Sequence, residues 1–479
     1  MNRRMIVYTL GKILKVTGLL MIFPIITALV FQETEGFAYL ITGIIVFLFG
    51  TIISHDVPKK KNIYAKEGFV IVAVSWILLS AFGALPFCLT GEIPSYIDAF
   101  FETVSGFTTT GASILNDVEA MSYASLFWRS FTHWIGGMGI LVFAVAFIPI
   151  ASGRTLHILK AEMPGPVVGK LVSKIHVTAR ILYIMYAVLT LIEVVLLLFG
   201  GMSFFDSLLN AFGTAGTGGF AIKNASIAAY NSAYIDGVIT VFMILFGINF
   251  NLIYFVVIGK IATALKSEEL RWYIGIIVTA IIGITINIVH MYNSYLEAFR
   301  YASFQVASII TTTGYVTADY GMWPMFSQTI LLLLMFVGAS SGSTGGGMKV
   351  SRLVMYGKNA VKQIKKLIHP HSVVSVEFEG QPVEPKTISN IHAYLILYAM
   401  IFVVSLLILS LENIDFQSVF SAVATCINNI GPGFNEVGPV SNFSGLSDLS
   451  KIVLSFDMLA GRLEIFPILI LFSKSLWKK

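Results

Sequence analysis

Apolar stretches alternate with short polar connections along the whole chain. Ten of them run over roughly 7–31, 36–54, 69–90, 124–150, 178–200, 233–259, 272–292, 325–348, 389–411 and 449–474. Each is long enough to cross about 30 Å of hydrocarbon as a helix, so the pattern predicts ten transmembrane spans. After spans three, five, seven and nine the pattern changes. An amphipathic stretch of about ten residues runs into a Thr/Asn-x-Gly turn, and this happens four times. Aligned without gaps, the copies are Asp98 to Gly111 (DAFFETVSGFTTTG), Asp206 to Gly219 (DSLLNAFGTAGTGG), Tyr301 to Gly314 (YASFQVASIITTTG) and Ser418 to Gly431 (SVFSAVATCINNIG). Their closing glycines are 108, 95 and 117 residues apart. Two positions before each stand Thr109, Thr217, Thr312 and Asn429; after it come Ala112, Phe220, Tyr315 and Pro432.

Composition agrees with a membrane solvent. Hydrophobic residues are 56% of 479, charged ones 12%, and mean hydropathy is +0.83, which excludes an ordinary soluble domain. An even number of crossings puts both termini on one side, and charge selects the side. Arg3, Arg4, Lys12, Lys15, Lys59 to Lys61, Lys66, and the basic residues within 154–180, 260–271, 349–366 and 474–479 fall on alternate connections or termini. The positive-inside rule therefore predicts cytoplasmic termini in a multi-pass cell-membrane protein. The net charge of +5 is topological, so no nucleic acid is implied. The first stretch reads as a retained helix, because it lacks a small-x-small cleavage site. Cys88 and Cys426 are too few for a disulfide framework or a zinc cluster.

Four loops dipping in from one face are tolerated at membrane depth only if they are buried in protein or line water. Meeting around one axis would satisfy that. Asp98 and Asp206 stand where the short helices are expected to begin, as N-caps, which would aim the negative helix ends inward at a cation. Beyond each helix an extended backbone with inward carbonyls needs glycine for close approach. Rings of carbonyl oxygens of this kind select potassium. The candidate filter residues are thus Thr109, Thr110 and Gly111; Thr217, Gly218 and Gly219; Thr312, Thr313 and Gly314; and Asn429, Ile430 and Gly431.

These motifs resemble the Trk/Ktr/HKT superfamily of potassium transporters. The carriers are GFTTTGAS at 106–113, TAGTGGFA at 214–221, TTTGYVTAD at 311–319, NNIGPGFNEVGP at 428–439 and DMLAGRLEIFP at 457–467. Ten spans are more similar to the bacterial TrkH-type pore-forming subunit than to the eight-span Ktr type. The resemblance implies an all-α polytopic fold. Two leading helices (1–66) would precede four pseudo-fourfold helix–pore loop–helix units, at 67–170, 171–268, 269–388 and 389–479. It implies gated potassium uptake driven by the electrochemical gradient, no cofactor, a homodimer, and a cytoplasmic nucleotide-binding RCK-type regulatory partner. Glycine at all four filter centres implies potassium preference; a sodium-permeable or sodium-coupled version of the same pore is the alternative within transport.

Below the filter two features stand out. The eighth span runs into GASSGSTGGGMKVSR at 338–352. The glycines crowded into 338–347 cost about 1 kcal/mol each in a helix, so this segment should form a loop. The resemblance implies that this loop, with Gly345, Gly346 and Gly347, is the gate. Arg462 lies inside span ten near Asp457 and Glu464, and an ionised residue there faces a cavity or a partner. The resemblance implies a positive barrier beneath the filter; the alternative is an ion pair with one of those carboxylates. From another class altogether, an intramembrane hydrolase could use Ser340 in its G-x-S-x-G string, but no strand, histidine or acid accompanies it. His133 and Trp134 read as helix packing, and 371–383 around Glu379-Gly380 as a short hairpin.

Overall fold

The computed structural model describes residues 1–59, 63–139, 175–371 and 374–474. The chain is predominantly helical, with two short strands, Glu377–Phe378 and Gln381–Pro382, as the sheet structure among the described residues. Among the described residues six helices are long and apolar enough to cross a membrane: Arg3–Phe31, Gly36–Ile53, Ala65–Thr90, Val177–Phe199, Glu268–Met291 and Pro385–Leu409. Large apolar side chains such as Leu29, Ile52, Phe199 and Ile286 stand exposed on them, a lipid-facing surface in a multi-pass membrane protein. The first two helices pack through small residues, with Gly11 against Gly50 and Gly18 against Gly43, which lets their backbones approach closely.

The sixth expected span, 233–259, is not straight. Ala233–Phe246 and Phe250–Val257 meet at 104°, because Gly247 ends the first and Asn249 caps the second by accepting from the N–H of Asn251 at 2.9 Å. Among the described residues, three more expected spans show shorter helices: Tyr123–Gly137, Met325–Val337 and Asp448–Arg462. Residues 140–150 of the fourth span, most of the 154–180 basic stretch, and the C-terminal residues 475–479 lie outside the described residues. Helices of 13 to 15 residues reach only about 20 Å. Two of these breaks lie where packing leaves no room beside the chain's interior turns. A Cβ on Gly136 would lie 1.9 Å from the Phe107 carbonyl oxygen, and one on Gly461 would lie 2.0 Å from that of Ile427.

Four short helices fill the interior: Tyr96–Phe107, Phe204–Gly216, Tyr295–Ile310 and Phe416–Asn428. Asp98 and Asp206 are not their N-caps. The caps are Ser95 and Ser203, whose hydroxyls accept from the N–H of those aspartates at 3.3 and 3.0 Å. Ser294 and Asp415 cap the other two. The helices begin one turn earlier than expected, and the acids take the third position, where a negative charge still suits the dipole. There Asp98 pairs with Lys451 at 2.6 Å and Asp206 accepts from the Tyr230 hydroxyl at 2.9 Å.

Candidate cation site

All four short helices end in the same way. Thr109, Thr217, Thr312 and Asn429 take left-handed backbone angles, with φ of 54°, 54°, 60° and 57°. Each donates its N–H three residues back, at 3.0 to 3.2 Å. The next residues, Thr110, Gly218, Thr313 and Ile430, donate five residues back, at 2.8 to 2.9 Å. This pair of bonds is a Schellman motif, which normally places glycine at the left-handed position. Here three threonines and an asparagine hold it, and a branched side chain in that region costs roughly 1–2 kcal/mol. The three threonines repeat that strain at equivalent turns, while asparagine tolerates the conformation, and a recurrence of this kind points to a site. Two residues after each of these, Gly111, Gly219, Gly314 and Gly431 have φ of 83°, 71°, 83° and 99°.

The glycines close a ring. A Cβ on Gly111 would lie 2.1 Å from the carbonyl oxygen of Gly218, one on Gly219 1.9 Å from that of Thr313, and one on Gly314 2.1 Å from that of Ile430. Gly431 completes the circuit at 2.7 Å from the Thr110 carbonyl oxygen. Each loop therefore packs its glycine Cα against the preceding carbonyl of the next loop, in chain order, and the fourth returns to the first. All twelve predicted filter residues belong to these four turns. The four glycines also line one cavity of about 210 Å³, together with Arg129, Phe220 and Pro432. At the left-handed positions the Thr109 Oγ1 and Asn429 Oδ1 atoms are buried without a hydrogen-bond donor among the described residues. These are hard oxygen acceptors suited to a cation.

The glycine-rich segment is an irregular loop from Gly338 to Lys349, as predicted, and it lies against the same turns. Gly346 N–H donates to Thr312 Oγ1 at 2.6 Å, and a Cβ on Gly346 would lie 2.5 Å from the Asn428 carbonyl oxygen. Ser340 N–H donates to the Gly247 carbonyl at 3.0 Å, Ser341 N–H to Glu269 at 2.7 Å, and Lys349 Nζ to the Gly345 carbonyl. Arg462 joins this loop to another element. Its guanidinium donates to the Thr344 carbonyl at 2.7 Å and to the carbonyls of Gly136 and Gly137, the latter at 2.8 Å. The neighbouring carboxylates have other partners. Asp457 accepts from Ser405 at 2.8 Å, and Glu464 pairs with Arg352.

Several contributors are not visible from local sequence. Arg129 is 3% exposed and pairs with the buried Glu102 at 2.6 Å. Tyr315 wedges behind the second short helix, donating to the Asn210 carbonyl at 2.9 Å. The aromatic residues after two of the four glycines were the available signal. The hairpin forms, with Glu379 and Gly380 both at positive φ. Its Glu379 carboxylate accepts from the N–H groups of Glu268 and Glu269 and from the Ser267 hydroxyl, at 2.8 to 3.1 Å. The hairpin thus docks on a helix N-terminus of its own chain, where an anion is favoured. Ser340 Oγ is buried and has no hydrogen-bond partner among the described residues, so no base activates it there.

Residues 35–479 match the TrkH family, described as cation transport protein. The chain is 34% identical over 486 residues to the Trk system potassium uptake protein TrkH of Escherichia coli (strain K12), covering 100% of each. It is 30% identical over 472 residues to the Trk system potassium uptake protein TrkI of Halomonas elongata, covering 97% of this chain and 95% of that one. Among solved structures, the potassium transporter TrkH from Vibrio parahaemolyticus superposes with a TM-score of 0.90 at 34% identity, with complete coverage of both chains.

Proposed function

The chain belongs to the TrkH family of cation transport proteins, and from that membership and the closed ring of glycines we propose that it takes up potassium through a selective, gated pore. It is a transporter and not an enzyme. The observation that carries the reading is the circuit of four glycine Cα atoms, each against the next loop's carbonyl. In this reading the four helix–loop–helix units after the two leading helices surround one pathway. Potassium sits on the carbonyls of Thr110, Gly218, Thr313 and Ile430 and on oxygens of Thr109, Thr217, Thr312 and Asn429. Carbonyls replace its hydration shell. The membrane potential draws it inward at about 2.3 kcal/mol per charge per 100 mV.

The loop at 338–347 is the gate in this reading. Its contacts with Thr312 and Asn428 support that assignment, because such a loop cannot stay in place while an ion passes beneath those turns. Arg462 both latches the loop through Thr344 and sets a positive charge under the filter. Cytoplasmic termini, a homodimer and an RCK-type nucleotide-binding regulator complete the proposal, supported by the basic connections and by the family. Rubidium and sodium uptake by the purified full chain in potassium-loaded liposomes tests it. Rubidium flux that exceeds sodium flux and follows the imposed potential is expected; equal fluxes, or none, would overturn it.

A further inference from the structure

The four loops are braced in different ways, and the second is the exception. In the first, the hydroxyls of Thr108 and Thr110 are 2.8 Å apart; in the third, those of Thr311 and Thr313 are also 2.8 Å apart. In the fourth, Asn429 Nδ2 donates to Thr110 Oγ1 at 3.0 Å and to the Met458 carbonyl at 2.9 Å. The second loop has Gly216 and Gly218 where the first has Thr108 and Thr110. Neither glycine has a side chain with which to make the brace of the first and third loops, and Thr217, the counterpart of Asn429, turns its hydroxyl to the Gly216 carbonyl of its own loop at 2.6 Å.

His133 occupies that space instead. A Cβ on Gly218 would lie 2.1 Å from His133 Nδ1, and one on Gly216 would lie 2.3 Å from the His133 carbonyl oxygen. The imidazole is fully buried and stacks on Phe220, with centroids 4.2 Å apart and planes 18° apart. Its Nδ1 faces the Phe220 N–H at 3.5 Å, and its Nε2 is buried without a hydrogen-bond partner among the described residues. The Arg129 guanidinium lies 3.6 Å from the Phe220 centroid. Two groups this close cannot share one face of a ring, so Arg129 and His133 cover opposite faces. Arg129 is fixed in turn by Glu102, and it donates to the Ala221 carbonyl at 2.8 Å. Glu102 also accepts from Ser113 Oγ and from the N–H of Ile114, at 3.0 and 2.9 Å. The column therefore ties the exits of loops one and two together.

We propose that Arg129, Phe220 and His133 form a specificity-determining brace, holding the Gly218 carbonyl in the ring as the threonine hydroxyls hold those of Thr110 and Thr313. The brace rests on the filter reading. Phe220, the residue after the second filter glycine, is its positioning centre, and Arg129 and His133, one helical turn apart, are its two plates. Without it Gly218, flanked by Thr217 and Gly219 and lacking a side chain of its own, can swing its carbonyl off the axis while the other three loops stay in place.

The test is the ratio of rubidium to sodium uptake in liposomes, normalised to folded full-length protein, for Phe220→Leu, His133→Leu, Arg129→Lys, Phe220→Tyr and Gly431→Ala. Loss of the stacked ring or of either plate should lower the ratio by roughly fivefold. Arg129→Lys keeps the charge facing Glu102 but loses the planar stack, so it decides the matter if a leucine variant fails to fold. Phe220→Tyr keeps the ring and should keep the parent ratio, an outcome that a general packing defect does not predict. Parent ratios in the folded brace variants alongside a lowered ratio in Gly431→Ala would refute the brace and leave the filter standing. Parent ratios in all of them, Gly431→Ala included, would refute the filter reading itself.

Discussion

Two alanine substitutions in the glycine ring should separate the filter from the scaffold that carries it. In both, the residue sits at positive φ and alanine costs roughly 1–2 kcal/mol there, so the difference between them is steric. At Gly219 the new Cβ would lie 1.9 Å from the Thr313 carbonyl oxygen, and at Gly431 2.7 Å from that of Thr110 and 3.1 Å from that of Gly111. Against an ordinary carbon–oxygen contact near 3.3 Å, the oxygen must retreat by about 1.4 Å in the first case and about 0.6 Å in the second. The first shift exceeds what a buried, hydrogen-bonded turn can absorb, so Gly219→Ala should lose most of its folded protein. The second is tolerable. If roughly half an elementary charge is assigned to each oxygen, a retreat from about 2.8 to 3.4 Å from a bound cation weakens attraction by about 0.5 kcal/mol at an effective dielectric of 20. One or two oxygens moving in this way predict an approximately two- to fivefold fall in rubidium over sodium uptake for Gly431→Ala. Size-exclusion profiles give folded yield, and paired isotope uptake into liposomes gives the ratio. A Gly431→Ala protein with the parent ratio, or a Gly219→Ala protein that folds as well as its counterpart, would refute the reasoning.

Arg462→Ala should raise basal potassium flux severalfold per folded molecule, by freeing Thr344 and removing the charge; Arg462→Lys should fall between it and the parent, because an ammonium keeps the charge but not the fork. Lowered flux in the alanine variant would remove Arg462 from the pathway. Deleting Gly345 to Gly347 should raise flux and make it less responsive to any regulator, since the contacts with Thr312 and Asn428 go with it; unchanged flux in protein that reaches the membrane would reduce the loop to a kink. Glu379→Ala should destabilise the chain by about 1 kcal/mol through the lost cap on the Glu268–Ile288 helix, seen as a lower melting temperature with an unaltered ion ratio.

What the amino-acid pattern revealed, and what it concealed, divides along contact range. The Thr/Asn-x-Gly turns were legible because a Schellman end followed by a glycine at positive φ is written in four adjacent residues. The break at 338–347 was legible from glycine density alone. The caps were misplaced by one turn because Ser95 and Asp98, or Ser203 and Asp206, are equally good local candidates, and only hydrogen-bond geometry separates them. The bend at Gly247 to Asn249 was hidden by the apolar residues on both sides, although a glycine followed by an asparagine is a stop and a start. Arg462 was found as an anomaly, but its acceptors at Thr344 and Gly136 lie 118 and 326 residues away. His133 does pack between helices, as read, but nothing near it in sequence announces that its neighbours are Gly216 and Gly218.

The ring is assembled from four loops of one polypeptide, and each oxygen is encoded separately. In a ring made by identical subunits every substitution is copied fourfold, so an energy change of about 0.5 kcal/mol per oxygen would arrive as about 2 kcal/mol and a roughly thirtyfold change in equilibrium. Here the same change arrives once, as roughly a factor of two. If the ring is the filter proposed above, ion preference can therefore drift or be tuned in small steps, one loop at a time. Neutral variation can also accumulate at a position such as Asn429 or Ile430 that its three counterparts do not share.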